Sequence, residues 1–394
     1  MTRPVTRTQV GIVGAGPAGL MLAHLLHRAG VDSVAVDSRS RTEIEQTHRA
    51  GILERDSVRL LVDSGVSDRV LREGYQHEGI ALRFNGVSHR IDFEKLVGSS
   101  VWLYPQTDVF MDLADARARD GGDVRFGVTD TRVVDTTGDR PGILCTDADG
   151  LEQEIRCDIL VGADGSRSMT RHEIPDRRQY YREYPFAWFG ILCEAPPSAP
   201  ELIYTRSERG FALISQRTDA IQRMYFQCPP DEQVEDWSSD RIWEELQSRV
   251  AGEDGFQLKE GRILEKSVLP FRSFVCEPMR YGNLLLAGDA AHTVPPTGAK
   301  GLNLALADVR VLAEVLQQVI VEGRREALDD YTSRALNRVW KAQHFSYWMT
   351  TMLHASDDAG EFDVRRQLGE LETLTGSEHG AAYLAEAYTG WPHG

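Results

Sequence analysis

Residues 10–37 read VGIVGAGPAGLMLAHLLHRAGVDSVAVD, and this stretch decides the fold. The apolar run TQVGIVGAG (8–16) predicts a buried strand, AGLMLAHLLHRAG (18–30) a helix stopped by Gly30, and SVAVD (33–37) the next strand. Together they form a βαβ unit, the start of an α/β, Rossmann-like domain. Gly14, Gly16, Ala18 and Gly19 sit where strand passes into helix. Glycines there permit a tight turn and let the backbone approach a pyrophosphate at the helix N-terminus. Asp37 ends the second strand, where an acid that accepts a ribose hydroxyl belongs. The implied ligand is a dinucleotide, and the motif alone does not say which.

Two further stretches repeat the pattern of apolar strand followed by glycine and acid. One is DILVGADGSRSMTR (158–171); the other is LLLAGDAAHTVPPTGAKGLN (284–303), which runs through two prolines into a predicted helix near Leu302. Each taken alone also reads as an ordinary turn. Between them, ELIYTR, GFALISQR and IQRMYFQC (201–228) alternate as an antiparallel meander should. From 302 onward helical spacing dominates, and the aromatic run around Trp340, Phe345, Tyr347, Trp348 and Met349 reads as core or subunit interface.

Composition bounds the function. The 394 residues are 41% apolar and 26% charged, as in a globular protein, and the net charge of −16 argues against nucleic acid or an anionic membrane as partner. The five cysteines (145, 157, 193, 228, 276) are scattered without C-x-x-C spacing, so neither a disulfide framework nor a metal site is expected, and a reducing, cytoplasmic compartment is. No run of 18 or more uninterrupted apolar residues is present to span a membrane, and the glycine-rich first strand lacks a signal-peptide cleavage site.

The three motifs in this order resemble the fingerprint of the single-component FAD-dependent aromatic hydroxylases. Within that family the resemblance is strongest to members acting on 4-hydroxybenzoate, through ELIY (201–204), RGFALISQR (209–217), LEKSVLPFRSFV (264–275), GDAAHTVPPTGAKGLN (288–303) and AEAYTG (385–390). The family implies an FAD-binding domain assembled from 1–74, 100–180 and 270–320, an inserted antiparallel sheet that binds substrate (75–99 and 181–269), and a C-terminal helical region (321–394) forming a homodimer interface. It implies FAD held by Gly14, Gly16, Ala18, Gly19, Asp37, Arg49, Gln106, Asp164, Arg223, Gly288, Asp289, Gly298, Lys300, Leu302 and Asn303. In this reading Gly298 and Gly301 let the backbone pass the flavin ring, Lys300 adds a positive charge beside it and Asn303 bonds it.

Strand parity puts Ser215 with Arg217 on one face of the meander and Arg223 with Tyr225 on one face of the next strand, opposite Ala212, Ile214, Met224 and Phe226. Periodicity favours the simpler account of a solvent side against a core side. The resemblance instead assigns Ser215, Arg217 and Tyr225 to a substrate carboxylate, which a planar guanidinium suits. It assigns Tyr204, Tyr388 and the Pro296 carbonyl to the substrate phenol, with His77 ending a proton chain at a group titrating near neutrality. His77 would otherwise read as a surface histidine. The implied reaction passes through a flavin 4a-hydroperoxide and places one oxygen atom of O2 ortho to the phenol, giving 3,4-dihydroxybenzoate.

The electron donor is NADH or NADPH, visiting through Arg39, Arg49, Arg167, Arg171 and Arg272. Glu43 and Glu45 oppose a 2′-phosphate while Arg39 and Arg41 favour it, so NADH is expected to be accepted or preferred, with NADPH also usable. The alternatives are a hydroxylase of another phenolic acid and, from a different class, a non-catalytic FAD-fold binding protein.

Overall fold

The computed structural model describes residues 3–47, 51–356 and 359–391. Val10–Val13 runs parallel to Ser33–Asp37 on one side and to Ile159–Gly162 on the other, and Leu284–Leu286 lies parallel beyond the latter. The strands that open the three motifs are therefore neighbours, and their loops leave the same carboxyl edge of one sheet, where open α/β sheets bind ligands. Val10, Ile12, Leu160, Val161, Leu284 and Leu285 are fully buried, which accounts for continuous apolar runs in place of alternation.

The first helix, Pro17–Arg28, begins where the sequence predicts, with Gly16 at the N-cap and Pro17 supplying a fixed φ and no orphan N–H. Gly14 has φ +105°, and a Cβ there would lie 2.1 Å from the Ala163 carbonyl oxygen. A Cβ on Gly19 would lie 1.9 Å from the Gly14 oxygen. Both glycines are demanded by close backbone approach.

A second sheet has eight strands in the order 292–293, 262–277, 178–194, 221–228, 210–216, 203–207, 79–84 and 87–92. Ile203–Ser207, Gly210–Gln216 and Ile221–Cys228 form the expected antiparallel meander. Its apolar face packs Ala212, Ile214, Met224 and Phe226 against Ile242, Trp243, Leu246 and Val250 of the helix Ser239–Val250. The other face is not an open solvent side: Ser215, Arg223 and Tyr225 look onto a large cavity, which corrects the expectation from periodicity.

The C-terminal region is helical, with Gly301–Ile320, Ala327–Leu353, Glu361–Gly376 and Glu378–Thr389. Phe345, Met349, Leu371, Leu384 and Tyr388 form one core with Tyr204 and Leu213 of the second sheet. Each fully buried Leu or Phe there contributes about 1.5–3 kcal/mol. Of these helices only the start of Gly301–Ile320 lines the cavity, and the others pack against Tyr204 and Leu213. A four-stranded sheet of Val5–Arg7, Glu152–Arg156, Gly142–Thr146 and Thr129–Val134 was not legible from the motifs. The five cysteines are free thiols, all buried. No helix among the described residues is long and apolar enough to cross a membrane.

Candidate active site

One cavity of about 1390 Å³ runs from the first glycine loop to the meander. It exceeds the roughly 300–1,000 Å³ of a site for one drug-sized ligand. Gly14, Gly16, Ala18, Asp37 and Arg39 line one stretch of it; Asp289, Pro296, Gly301 and Leu302 line another; Tyr204, Ser215, Arg217, Arg223 and Tyr225 line a third. The N-terminus of the Pro17–Arg28 helix opens into it, and a Cβ on Gly16 would meet nothing within 4 Å. The first turn of Gly301–Ile320 also faces it, and the N–H groups of residues 301–303 have no acceptor within their own helix. Two helix N-termini therefore aim partial positive charge into one cavity. The Asp37 carboxylate accepts from the N–H groups of Ala15 (2.9 Å) and Arg39 (3.0 Å), which pins the glycine loop and leaves lone pairs for a ribose. Thr293 lines the cavity with a buried hydroxyl that has no partner among the described residues. These features fit FAD, with its adenosine diphosphate at the first helix and its ring system at the second.

Several expected cofactor residues act differently. Lys300 is among the residues that line the cavity, but its ammonium donates to Glu54 Oε1 at 2.6 Å and to the Tyr388 carbonyl at 2.9 Å. Glu54 also binds Arg338 at 2.7 Å. Burial alone would neutralise Glu54, but the two cations outweigh it and hold its pKa below the usual range. The Lys300 charge is spent on this buried cluster, so it anchors the C-terminal helix rather than standing free beside a ring. The Asn303 side chain is likewise committed, accepting from Glu54 N and Ser57 Oγ and donating to the Ile52 and Ala299 carbonyls. Only its backbone N–H remains for a ligand. Asp164 accepts from Ser168, Met169 and Thr170 within its own turn, so its carboxylate shapes the loop while the backbone lines the cavity. Gly298 is small for another reason: a Cβ there would lie 2.6 Å from Ser346 Oγ on the long helix. Gln106 lines the cavity as the first residue of the helix Gln106–Arg119. Gly288, at φ +62°, donates its N–H to Asp308 at 2.9 Å, and Asp308 also meets the buried His292 at 2.6 Å. That pair holds the turn from which Asp289 enters the cavity.

At the meander end, Ser215 stands opposite Arg223, and Leu213 opposite Tyr225, so all four share the cavity face. Arg223 donates to the Tyr225 hydroxyl at 3.3 Å, and Ser215 donates to the Arg223 carbonyl at 2.8 Å. Arg217 follows on the same face, half-buried. Burial, and next the neighbouring Arg223 charge, pull its pKa below the usual arginine value, with Asp108 and Glu265 acting the other way. Two adjacent guanidinium groups in a confined space favour an anion. Arg223, expected among the cofactor residues, lines the cavity beside Ser215, Arg217 and Tyr225.

The other pole is neutral. The Tyr204 and Tyr388 hydroxyls are 2.7 Å apart, with both side chains buried. Burial is the largest cause driving both phenols above their ordinary pKa, so at neutral pH both are protonated, hydrogen-bonded hydroxyls. Pro296 lines the same cavity, its carbonyl already accepting from Ala299 N at 2.9 Å with a second lone pair left over. His77 is buried, not superficial, and neither ring nitrogen has a partner among the described residues. Burial pushes its pKa down to about 4, which corrects the expectation of a group titrating near neutrality.

Of the nicotinamide candidates, Arg39 and Arg167 line the cavity and are exposed. Arg171 does not: it is buried, donates to the Ala290 and Ser166 carbonyls, and lies over the Phe274 ring at 4.5 Å. It is a structural tie between two motif loops. Arg272 is exposed on the strand pair opposite Glu183, away from the cavity lining. Arg49 lies outside the described residues. The sequence reading missed Trp188, Gly190, Leu202 and Leu213 in the cavity wall. A Cβ on Gly190 would lie 2.7 Å from the Tyr225 ring, and alternation in FAWFGILCE (186–194) was the available signal.

Fold and cavity define a flavoprotein of the aromatic-hydroxylase type. The chain matches the FAD binding domain family over residues 7–346 and belongs to it. Among its relatives it is similar to p-hydroxybenzoate hydroxylase of Acinetobacter baylyi, at 43% identity across 98% of this chain and 96% of that protein. It is 29% identical to 6-methylpretetramide 4-monooxygenase of Streptomyces rimosus, across 84% of this chain and 79% of that one. In fold it matches the crystal structure of p-nitrophenol 4-monooxygenase from Pseudomonas putida with a TM-score of 0.84 at 20% identity, covering 99% of this chain and all of the other.

Proposed function

We propose that this chain is an FAD-dependent monooxygenase that converts 4-hydroxybenzoate, O2 and a reduced nicotinamide into 3,4-dihydroxybenzoate, water and the oxidised nicotinamide. The observation that carries the reading is one cavity with a paired-arginine pole and a paired-tyrosine pole, which matches an aromatic ring bearing a carboxylate opposite a phenol. Arg217, Ser215 and Tyr225 hold the carboxylate. Tyr204 hydrogen-bonds the phenol oxygen, and a proton leaving it passes into the Tyr204–Tyr388 hydroxyl pair; His77, held neutral and without a partner among the described residues, is not its acceptor near pH 7. The phenolate so formed is a stronger electron donor at its ortho carbon than the phenol. The walls from Trp188, Leu202 and Leu213 exclude water, which keeps these electrostatic contacts strong. Bound FAD supplies the reduction and activation of O2.

For the donor, we infer a preference for NADH. Arg41 is engaged by Glu45 and Asp115, Arg39 by Asp37, and Glu43 caps its helix at Ser40, so neither arginine offers an uncommitted fork to a 2′-phosphate. The reading includes use of NADPH at lower efficiency. The exposed aromatic residues Tyr180, Trp340 and Tyr347 on one side of the molecule support a homodimer through the C-terminal region, and the buried free thiols support a cytoplasmic setting. We read residues 1–74, 100–180 and 270–320 as the FAD-binding unit, 75–99 and 181–269 as the substrate unit, and 321–394 as the dimerising helices.

The test is anaerobic reduction of the holoenzyme by NADH and by NADPH, with and without a panel of aromatic acids, followed by product analysis in air. The reading expects 4-hydroxybenzoate to accelerate reduction most and to yield 3,4-dihydroxybenzoate. Faster reduction and hydroxylation with a different acid would replace the substrate, and flavin that no nicotinamide reduces would replace the class.

A further inference from the structure

Trp188 forms part of the cavity wall, with its ring 5.0 Å from that of Tyr225. Its indole N–H is directed away from the cavity and donates to His354 Nε2 at 2.7 Å. The other nitrogen, His354 Nδ1, lies 2.9 Å from the Thr350 carbonyl, which can only accept, so Nδ1 carries the proton and Nε2 is the acceptor. The imidazole is buried and sandwiched between Phe186 (4.5 Å, 11°) and Phe211 (4.4 Å, 24°). Burial pushes its pKa down to about 3, so it stays neutral through the physiological range. Its own backbone is fastened as well: Gln367 donates to the His354 carbonyl at 2.8 Å, and Gln227 accepts from Ala355 N at 3.0 Å. The long helix Ala327–Leu353, which ends at this residue, is thereby coupled to a wall of the substrate cavity.

We propose that His354 is a positioning residue that fixes the plane of Trp188, and through Trp188 and Tyr225 sets which ring substituents the substrate slot admits. The inference rests on the function proposed above. Without the acceptor, the indole N–H is left buried and unpaired, and the ring rotates or shifts to find a partner. Such a shift changes the width of the slot next to the carboxylate group without removing any residue that touches the substrate.

The experiment measures binding of 4-hydroxybenzoate and 3-chloro-4-hydroxybenzoate to the holoenzyme by the change in flavin absorbance, in wild type, His354→Phe, Trp188→Phe and the double variant. His354→Phe keeps the stacking and removes the acceptor. The expected result is a Kd for 4-hydroxybenzoate raised about tenfold, a smaller rise for the chloro acid, and little further effect of His354→Phe once Trp188 is phenylalanine. Equal factors for both acids, equal factors in both backgrounds, or no change in a folded variant would overturn the proposal. A wild type that binds neither acid would count against the proposed function instead. Nitrogen-15 spectra of the wild type decide the geometry whether or not a variant folds and whichever acid binds. The Trp188 indole proton should exchange slowly and His354 should be an Nδ1–H tautomer at pH 7; a fast-exchanging indole or an Nε2–H tautomer would also overturn it.

Discussion

The two poles of the cavity are built from different materials. The pole proposed for the carboxylate is cationic and placed at the end of a hairpin, where the Arg223 charge opposes that of half-buried Arg217, and Asp108 and Glu265 offset it in part. The phenol pole is neutral and buried, made of two tyrosines from segments 184 residues apart and backed by helices. The difference separates affinity from chemistry. In the proposed function, charge at the first pole would select and hold the ligand, whereas hydrogen bonding at the buried second pole would move a proton. Each pole can therefore be damaged without the other.

The largest expected effect is at the neutral pole. Tyr388→Phe breaks the hydroxyl pair and should lower the hydroxylation rate by about two to three orders of magnitude, with reduced flavin diverted to hydrogen peroxide. Substrate Kd should change by no more than about threefold. An unchanged hydroxylation yield would remove the relay. At the cationic pole, Arg217→Ala should raise the Kd by about a hundredfold, because a bound carboxylate loses its fork partner. The bound phenol's pKa, read by ultraviolet difference spectra, should stay where it is; a movement there would mean that the poles are not separable.

Gly190→Ala sharpens the comparison by moving Tyr225 alone. The added carbon would sit 2.7 Å from the Tyr225 ring, so the ring must shift, and the expected loss in substrate affinity is about tenfold. No loss would take Tyr225 out of the carboxylate site. The smallest effect concerns pH. His77 is held to about 4 by burial, so between pH 6.5 and 4 the unfolded chain binds a proton there that the folded chain does not. Stability from this group is full above pH 6.5 and falls by about 1.4 kcal/mol per pH unit below it. His77→Asn should flatten that acid slope in denaturant titrations, and an unaltered slope would show that His77 is not held neutral.

The backbone of this site was legible in the sequence, and much of its side-chain wiring was not. Three apolar runs ending in glycine announce three strands because burial on both faces and tight exit turns leave few other residues possible. The direction of Lys300 could not be read that way, since its partner Glu54 lies 246 residues earlier and nothing local marks the pair. The engagement of Asn303 and Arg171 was hidden in the same way, since partners such as the Ile52 and Ala290 carbonyls are brought near only by the fold. The meander shows the converse case. Its polar face looks like a solvent face in one dimension, and only the cavity shows that the polarity is meant for a ligand.

A crystal structure of the holoenzyme with 4-hydroxybenzoate tests the central claim most directly. The account predicts the ring in the cavity with its carboxylate within hydrogen-bond reach of Arg217 and its phenol oxygen on Tyr204. A reversed ring, or an acid bound outside this cavity, would contradict it.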